Sequence, residues 1–143
     1  DGSFDQAYPH EHSVGATAFL LDSMLAAYDV VAPACDAVTR GRLLATFERA
    51  SGFLLRHDET HGVIANHVAG SVLALLRAEA LFERAEYGAR ADALLRTVLD
   101  SQSPEGWFPE YGGCDPGYQT LCVYYLAQVL VRRPSRALSE ALA

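Results

Sequence analysis

Hydrophobic positions along this chain come in two alternating styles. The stretches Ser13–Val31, Ala65–Arg84 and Tyr118–Val131 are apolar or small on nearly every side. Between them, Asp36–Leu55 and Glu86–Ser101 are two-faced. The second stretch sets Arg40, Arg42, Glu48 and Arg49 against Val38, Leu43, Leu44 and Phe47. The fourth sets Arg90, Asp92, Arg96 and Asp100 against Ala91, Leu94, Leu95 and Val98. Such spacing predicts helices. Pro33 ends the first, Asp36 is a ready N-cap for the second, and Pro134 separates the fifth from a short last helix, Ser135–Leu142. A helix apolar on all sides must be covered on all sides. The odd helices are therefore expected inside and the even ones outside. The fold class expected is all-α, with three helical hairpins side by side in one domain, 1–143.

The inner stretches also repeat. His12-Ser-Val-Gly-Ala-Thr-Ala-Phe-Leu-Leu, Asn66-His-Val-Ala-Gly-Ser-Val-Leu-Ala-Leu and Gly117-Tyr-Gln-Thr-Leu-Cys-Val-Tyr-Tyr-Leu align, placing Ser13, His67 and Tyr118 at one position, 54 and 51 residues apart. Each follows a loop that pairs a glycine with an apolar residue: Gly2 with Phe4, Gly62 with Val63, Gly106 with Trp107. A period of this length signals stacked supersecondary units. The three loops are then expected to share one rim.

Composition narrows the chemistry. The formal charge is −7, and all 11 basic residues are arginine. Without lysine there is no Schiff-base chemistry and no P-loop. The acidic balance argues against nucleic acid as a partner. Asp22, Asp29, Arg77, Glu79 and Gln119 within the apolar helices argue against a membrane, and no run reads as a convincing span. Cys35, Cys114 and Cys122 show no metal-type spacing and read as free thiols, which favours a cytoplasmic setting.

All five histidines fall in the first two rim loops or at the helix starts just after them. Histidine is the side chain that titrates near neutrality, so this clustering marks a candidate site. His57 and His61 have the spacing of a helical zinc pair, but Gly62 follows and Asp58 stands where a zinc protease needs glutamate. They read as loop surface, and no metal or cofactor is expected. Tyr8, Trp107, Tyr111 and Tyr118 suit sugar stacking or an apolar ligand, and His10, His12, Glu110 and Asp115 join them as candidate ligand contacts. The structural alternatives are ordinary ones. Ser13 or Asn66 would cap a helix, and Trp107 and Phe108 would plug hairpin junctions.

The segments Asp1-Gly-Ser-Phe-Asp-Gln-Ala-Tyr-Pro-His-Glu-His-Ser-Val-Gly-Ala-Thr-Ala-Phe and Gln102-Ser-Pro-Glu-Gly-Trp-Phe-Pro-Glu-Tyr-Gly-Gly-Cys-Asp-Pro-Gly-Tyr resemble (α/α)-toroid proteins, closest to the helical domains of heparinase II/III-like polysaccharide lyases. The Gly-Trp-Phe loop is also similar to that of terpenoid-cyclase and prenyltransferase toroids. The resemblance implies an incomplete (α/α) toroid-like array acting on a glycan. A lyase, or an epimerase sharing its chemistry, would abstract the C5 proton of a uronic acid. By that resemblance Asn66 would quiet the carboxylate, His67 would be the base, and Tyr111 or Tyr118 the acid. A complete toroid of this kind has about twice as many hairpins. That leaves open a homo-oligomer, the remainder of a longer toroid, or a relative without catalysis. A non-catalytic glycan- or protein-binding domain and a cyclase acting on an apolar small molecule are the rival functions. The acidic clusters that a terpenoid cyclase needs are not recognisable.

Overall fold

The computed structural model describes residues 1–143. The helices are α1 (Val14–Val31), α2 (Ala37–Arg56), α3 (Ala65–Phe82), α4 (Ala85–Asp100), α5 (Pro116–Arg132) and α6 (Arg136–Ala141), with a 3-10 turn at Ala32–Ala34 and no β-strand. Four of them start at a side chain that accepts one of their own free N–H groups. Ser13 accepts from Ala16, Asp36 from Thr39, Asp115 from Gly117 and Tyr118, and Ser135 from Leu138. Asp115 also explains why α5 begins two residues earlier than expected. It leaves Pro116 at the first helical position, where the absent N–H costs nothing.

α3 has no cap of its own; Ile64 precedes it. Its first amides are taken by a distant loop instead. Pro109 accepts from Ala65 at 3.0 Å and Glu110 accepts from Asn66 at 2.8 Å. The third loop therefore caps the second inner helix, and this fixes the two loops side by side.

α3 is the centre of the packing. α1 and α5 flank it, and α2 and α4 lie against its outer side. α6 closes against α4 and α5. Phe47, Phe53, Tyr87, Phe108, Leu126 and Leu138 are among the fully buried side chains, each stabilising the fold by about 1.5–3 kcal/mol. On the inner face, Arg77 of α3 bonds Asp22 of α1 and Gln128 of α5. Above it Phe19 stacks on Tyr125, ring centroids 5.4 Å apart. Gly70 lies beneath them; a Cβ there would sit 2.8 Å from Phe19.

Each entrance loop bends at a glycine, and the repeat itself shows along the inner helices. Gly2, Gly62 and Gly106 have φ of 103°, 98° and 92°, a region open to glycine. Thr17, Ser71 and Cys122, again 54 and 51 residues apart, are all buried at equivalent points. The hydroxyls of Thr17 and Ser71 donate to the carbonyls four residues back, at 2.6 and 2.9 Å.

Three expectations need correction. Only α3 is covered all round, with 13 of its 18 residues buried. α1 and α5 bury 6 and 4 residues, because each has an inner neighbour on one flank only. Val38, expected inside, is 64% exposed, since nothing packs on the first turns of α2. The run Val14–Ala34 is also longer and more apolar than the sequence reading allowed. It meets the length and composition of a membrane span, although here its Asp22 is buried and paired with Arg77.

Candidate active site

The three inner helices start at the same end of the molecule, and their entrance loops meet there. The first loop is laced to itself. The Asp5 carboxylate accepts the N–H groups of His12 and His10, which hold it below the usual carboxylate range, and Glu11 is lowered in the same way by Ala7 and Gln6. These bonds keep His10 and His12 in left-handed backbone, φ 65° and 55°. Tyr8 stands at the exposed tip. His12 is exposed, with Nδ1 2.7 Å from Ser3 Oγ and 3.0 Å from Asp1.

The second loop supplies the residue that organises the site. Glu59, missed in the sequence, turns inward and places Oε2 2.7 Å from His67 Nδ1. Its Oε1 meets Nδ1 of the exposed His61 at 2.8 Å. Burial works to raise the Glu59 carboxyl. The bonds from His67 and His61 together outweigh it and hold it down to about 2. An ionised Glu59 accepts a proton-bearing His67 Nδ1, and in the neutral ring this tautomer puts the lone pair on Nε2. Nε2 makes no hydrogen bond and is not sealed from solvent. Gly15 makes room for the ring: a Cβ on it would lie 2.6 Å from Nδ1. Phe19 packs edge-on against the other side.

The third loop brings the phenols. Glu110 and Gly113 exchange two backbone hydrogen bonds, 2.7 and 3.0 Å, around Tyr111 and Gly112. Both central residues have positive φ, 49° and 87°, as a tight type I′ turn requires. Tyrosine pays for this conformation with about 1–2 kcal/mol. In return its ring sits 6.4 Å from His67 and 5.5 Å from Tyr118, centroid to centroid. Desolvation, and then the neighbouring Tyr118, Glu59 and Glu110, raise the Tyr111 hydroxyl above its ordinary value.

The remaining candidates fall into place around this series. Asn66 is fully buried, and its amide N–H donates to Glu110 at 2.6 Å while its Oδ1 has no partner. Glu110, 3% exposed, is raised by burial, with the bonds from Asn66 opposing. These two form an internal clamp rather than a surface. Asp115 is occupied as the α5 cap. Trp107 is half-buried and donates its indole N–H to Glu105 at 3.0 Å. His57 lies stacked on Phe53. A cleft of about 320 Å³ separates the first two loops, lined by His12, Phe53, His57, Glu59 and His61. No three His, Cys, Asp or Glu side chains gather closely enough to hold a metal. A hollow of about 700 Å³ lies away from the rim, between the last turns of α3 and α5.

The residues brought together are thus Glu59, His67, Tyr111 and Tyr118. The one sequence signal for Glu59 was its place in a histidine-rich loop. No protein-family model matches the chain, nor does any curated protein or solved structure.

Proposed function

We propose that the rim is a proton-transfer site for a glycan bearing uronic acid. His67 takes the C5 proton beside the substrate carboxylate, and Tyr111 or Tyr118 supplies the next proton. In a lyase that proton goes to the oxygen leaving C4, and the electron pair freed at C5 forms the C4–C5 double bond. In an epimerase it returns to C5 from the opposite face, and no chain bond breaks. The observation that carries this reading is the series Glu59–His67–Tyr111–Tyr118, a fixed base followed by two phenols. The carboxylate beside the base orients the ring and steadies its charge once protonated, as in other carboxylate–histidine pairs. Asn66 is committed to Glu110, so it does not meet the substrate carboxylate. That role passes to the rim imidazoles of His12 and His61 and to the phenols.

One observation favours a second reading, a rim that binds a glycan or a protein partner without turnover. The entrance loops carry Asp1, Asp5, Glu11, Asp58, Glu59 and Glu105 and no arginine. A polyanion gains little there.

Uronate polymers incubated with the protein separate the readings. A lyase releases unsaturated ends that absorb in the ultraviolet. An epimerase exchanges C5 hydrogen with deuterated water. His67→Gln is expected to abolish either signal, within the roughly 10²–10⁴-fold that a positioned base supplies. Neither product nor exchange from any uronate polymer, with glycan binding intact in His67→Gln, would transfer the conclusion to the binding reading.

A further inference from the structure

α1 and α5 each leave one flank bare. On α1 the stripe is Leu20, Ser23, Ala27 and Val30, spaced as one helical face and exposed throughout. On α5 it is Val123, Tyr124, Ala127 and Val131, exposed in the same way. Neither stripe carries a charged side chain. Contiguous apolar surface of this kind marks a place that something covers.

The internal repeat says what each stripe corresponds to. Moved along by 54 residues, Leu20, Ser23 and Ala27 fall on Ala74, Arg77 and Leu81 of α3. That flank of α3 is where α1 sits: Arg77 holds Asp22, and Arg77 and Leu81 line a small hollow with Leu25 and Tyr28. Moved back by 51, Tyr124, Ala127 and Val131 fall on Leu73, Leu76 and Ala80. That flank of α3 is where α5 sits: Leu76 and Ala80 line a hollow with Gln128 and Arg132. The two bare stripes are therefore the two halves of a seam the chain already makes twice, α1 on α3 and α3 on α5.

We propose that a second copy of this chain covers them, with α5 of one copy seated against α1 of the other in the register of the internal seams. The chain carries both halves of the seam, uncharged on both sides, so no foreign partner is needed to complete it. The contact is head-to-tail, and two copies closing on each other make it twice, doubling the area buried per pair. The same arrangement sets the first entrance loop of one copy beside the third entrance loop of the other. The rim then runs on across the boundary, as it already runs from loop to loop within one chain.

Light scattering across a concentration series tests this directly. The chain is expected to shift from 15.5 kDa toward twice that mass. Leu20→Arg and Ala127→Arg place a charge in opposite halves of the seam, and both sites are exposed within one copy, so circular dichroism should show an unchanged fold. Each variant alone is expected to associate at least about tenfold more weakly, because every seam would bury an unpaired charge. An equimolar mixture of the two keeps one intact seam per pair and should regain part of the association. A chain that stays monomeric at every concentration overturns the proposal and leaves the stripes to another occupant. So does a dimer that ignores both substitutions, or a mixture that recovers nothing.

Discussion

Two glutamates near the rim are almost equally hidden and behave in opposite ways. Glu59, at the second entrance, is held down to about 2, whereas Glu110, at the third, is raised. Burial pushes both upward. The difference lies in the partners. Glu59 meets two imidazoles, which can share or carry positive charge. Glu110 meets an amide N–H and a side-chain amide, which only donate. Hydrogen bonds from neutral donors hold Glu110 in place without offsetting its desolvation. One carboxylate is thus built to govern a proton on His67, and the other to tie a loop to a helix.

The largest effect expected from breaking this contrast is on folding. Glu110→Ala would strand the N–H of Asn66 and its side-chain amide in the interior and leave α3 without its cap. The expected loss is about 3 kcal/mol or more, measured by chemical denaturation. Glu110→Gln keeps an acceptor in place and should cost much less. Equal losses in the two variants would mean that the pair contributes packing rather than hydrogen bonds.

The pH profile of stability tells the two carboxylates apart. The folded Glu59 value lies below the ordinary 4.5, so the unfolded chain binds more protons between about 2 and 4.5. Its contribution is present above that window and is lost as the pH falls through it, up to roughly 3 kcal/mol. Glu110 has the reverse sign. Its folded value lies above 4.5, so the folded chain binds more protons just above that pH and stability declines as the pH rises. Glu59→Gln should flatten the acid limb only, and Glu110→Gln the limb above it. Denaturation midpoints across this range provide the measurement, and one substitution flattening both limbs would dissolve the distinction.

Gly15→Ala sharpens the comparison from the side of His67. The added methyl displaces the imidazole from Glu59 and should cost about 1–3 kcal/mol of overpacking. Any turnover of a uronate glycan should fall with it. The His67 side-chain resonances should move toward those in Glu59→Gln; if they keep their wild-type positions, the ring does not need the space.

The smallest effect expected is at Tyr111, which lies between the two carboxylates. Tyr111→Asn replaces a strained left-handed tyrosine with a residue that tolerates the turn. A gain of up to about 1 kcal/mol in stability is expected, together with loss of activity. A loss of stability would show that the ring, through His67 and Tyr118, holds the loop more than the turn strains it.

Much of this was legible before any coordinates. Helical spacing located all six helices to within a few residues, and Asp36 announced its cap. The three repeated glycines marked the entrances, because only glycine enters their φ region freely. Asn66, His67, Tyr111 and Tyr118 stood in the entrance segments, but their roles came only from the resemblance, and Asn66 lies buried against Glu110. Glu59 was not singled out, because its role depends on a loop path that no periodicity describes. Val38 went wrong for a related reason: a two-faced pattern says which side could be buried, not whether a neighbour reaches that far along the helix.

The chain by itself determined where its helices run, the local caps at Ser13 and Asp36, and the alternation of apolar and two-faced helices. These follow from local propensity and from spacing along one segment. The tertiary structure decided the partners. Asn66 lost its expected place at the surface because Glu110, 44 residues on, folds back to cap α3. His67 gained its carboxylate because Glu59 turns inward. α3 was covered while α1 and α5 were left with bare flanks, because an inner helix is enclosed only where neighbours stand on both sides.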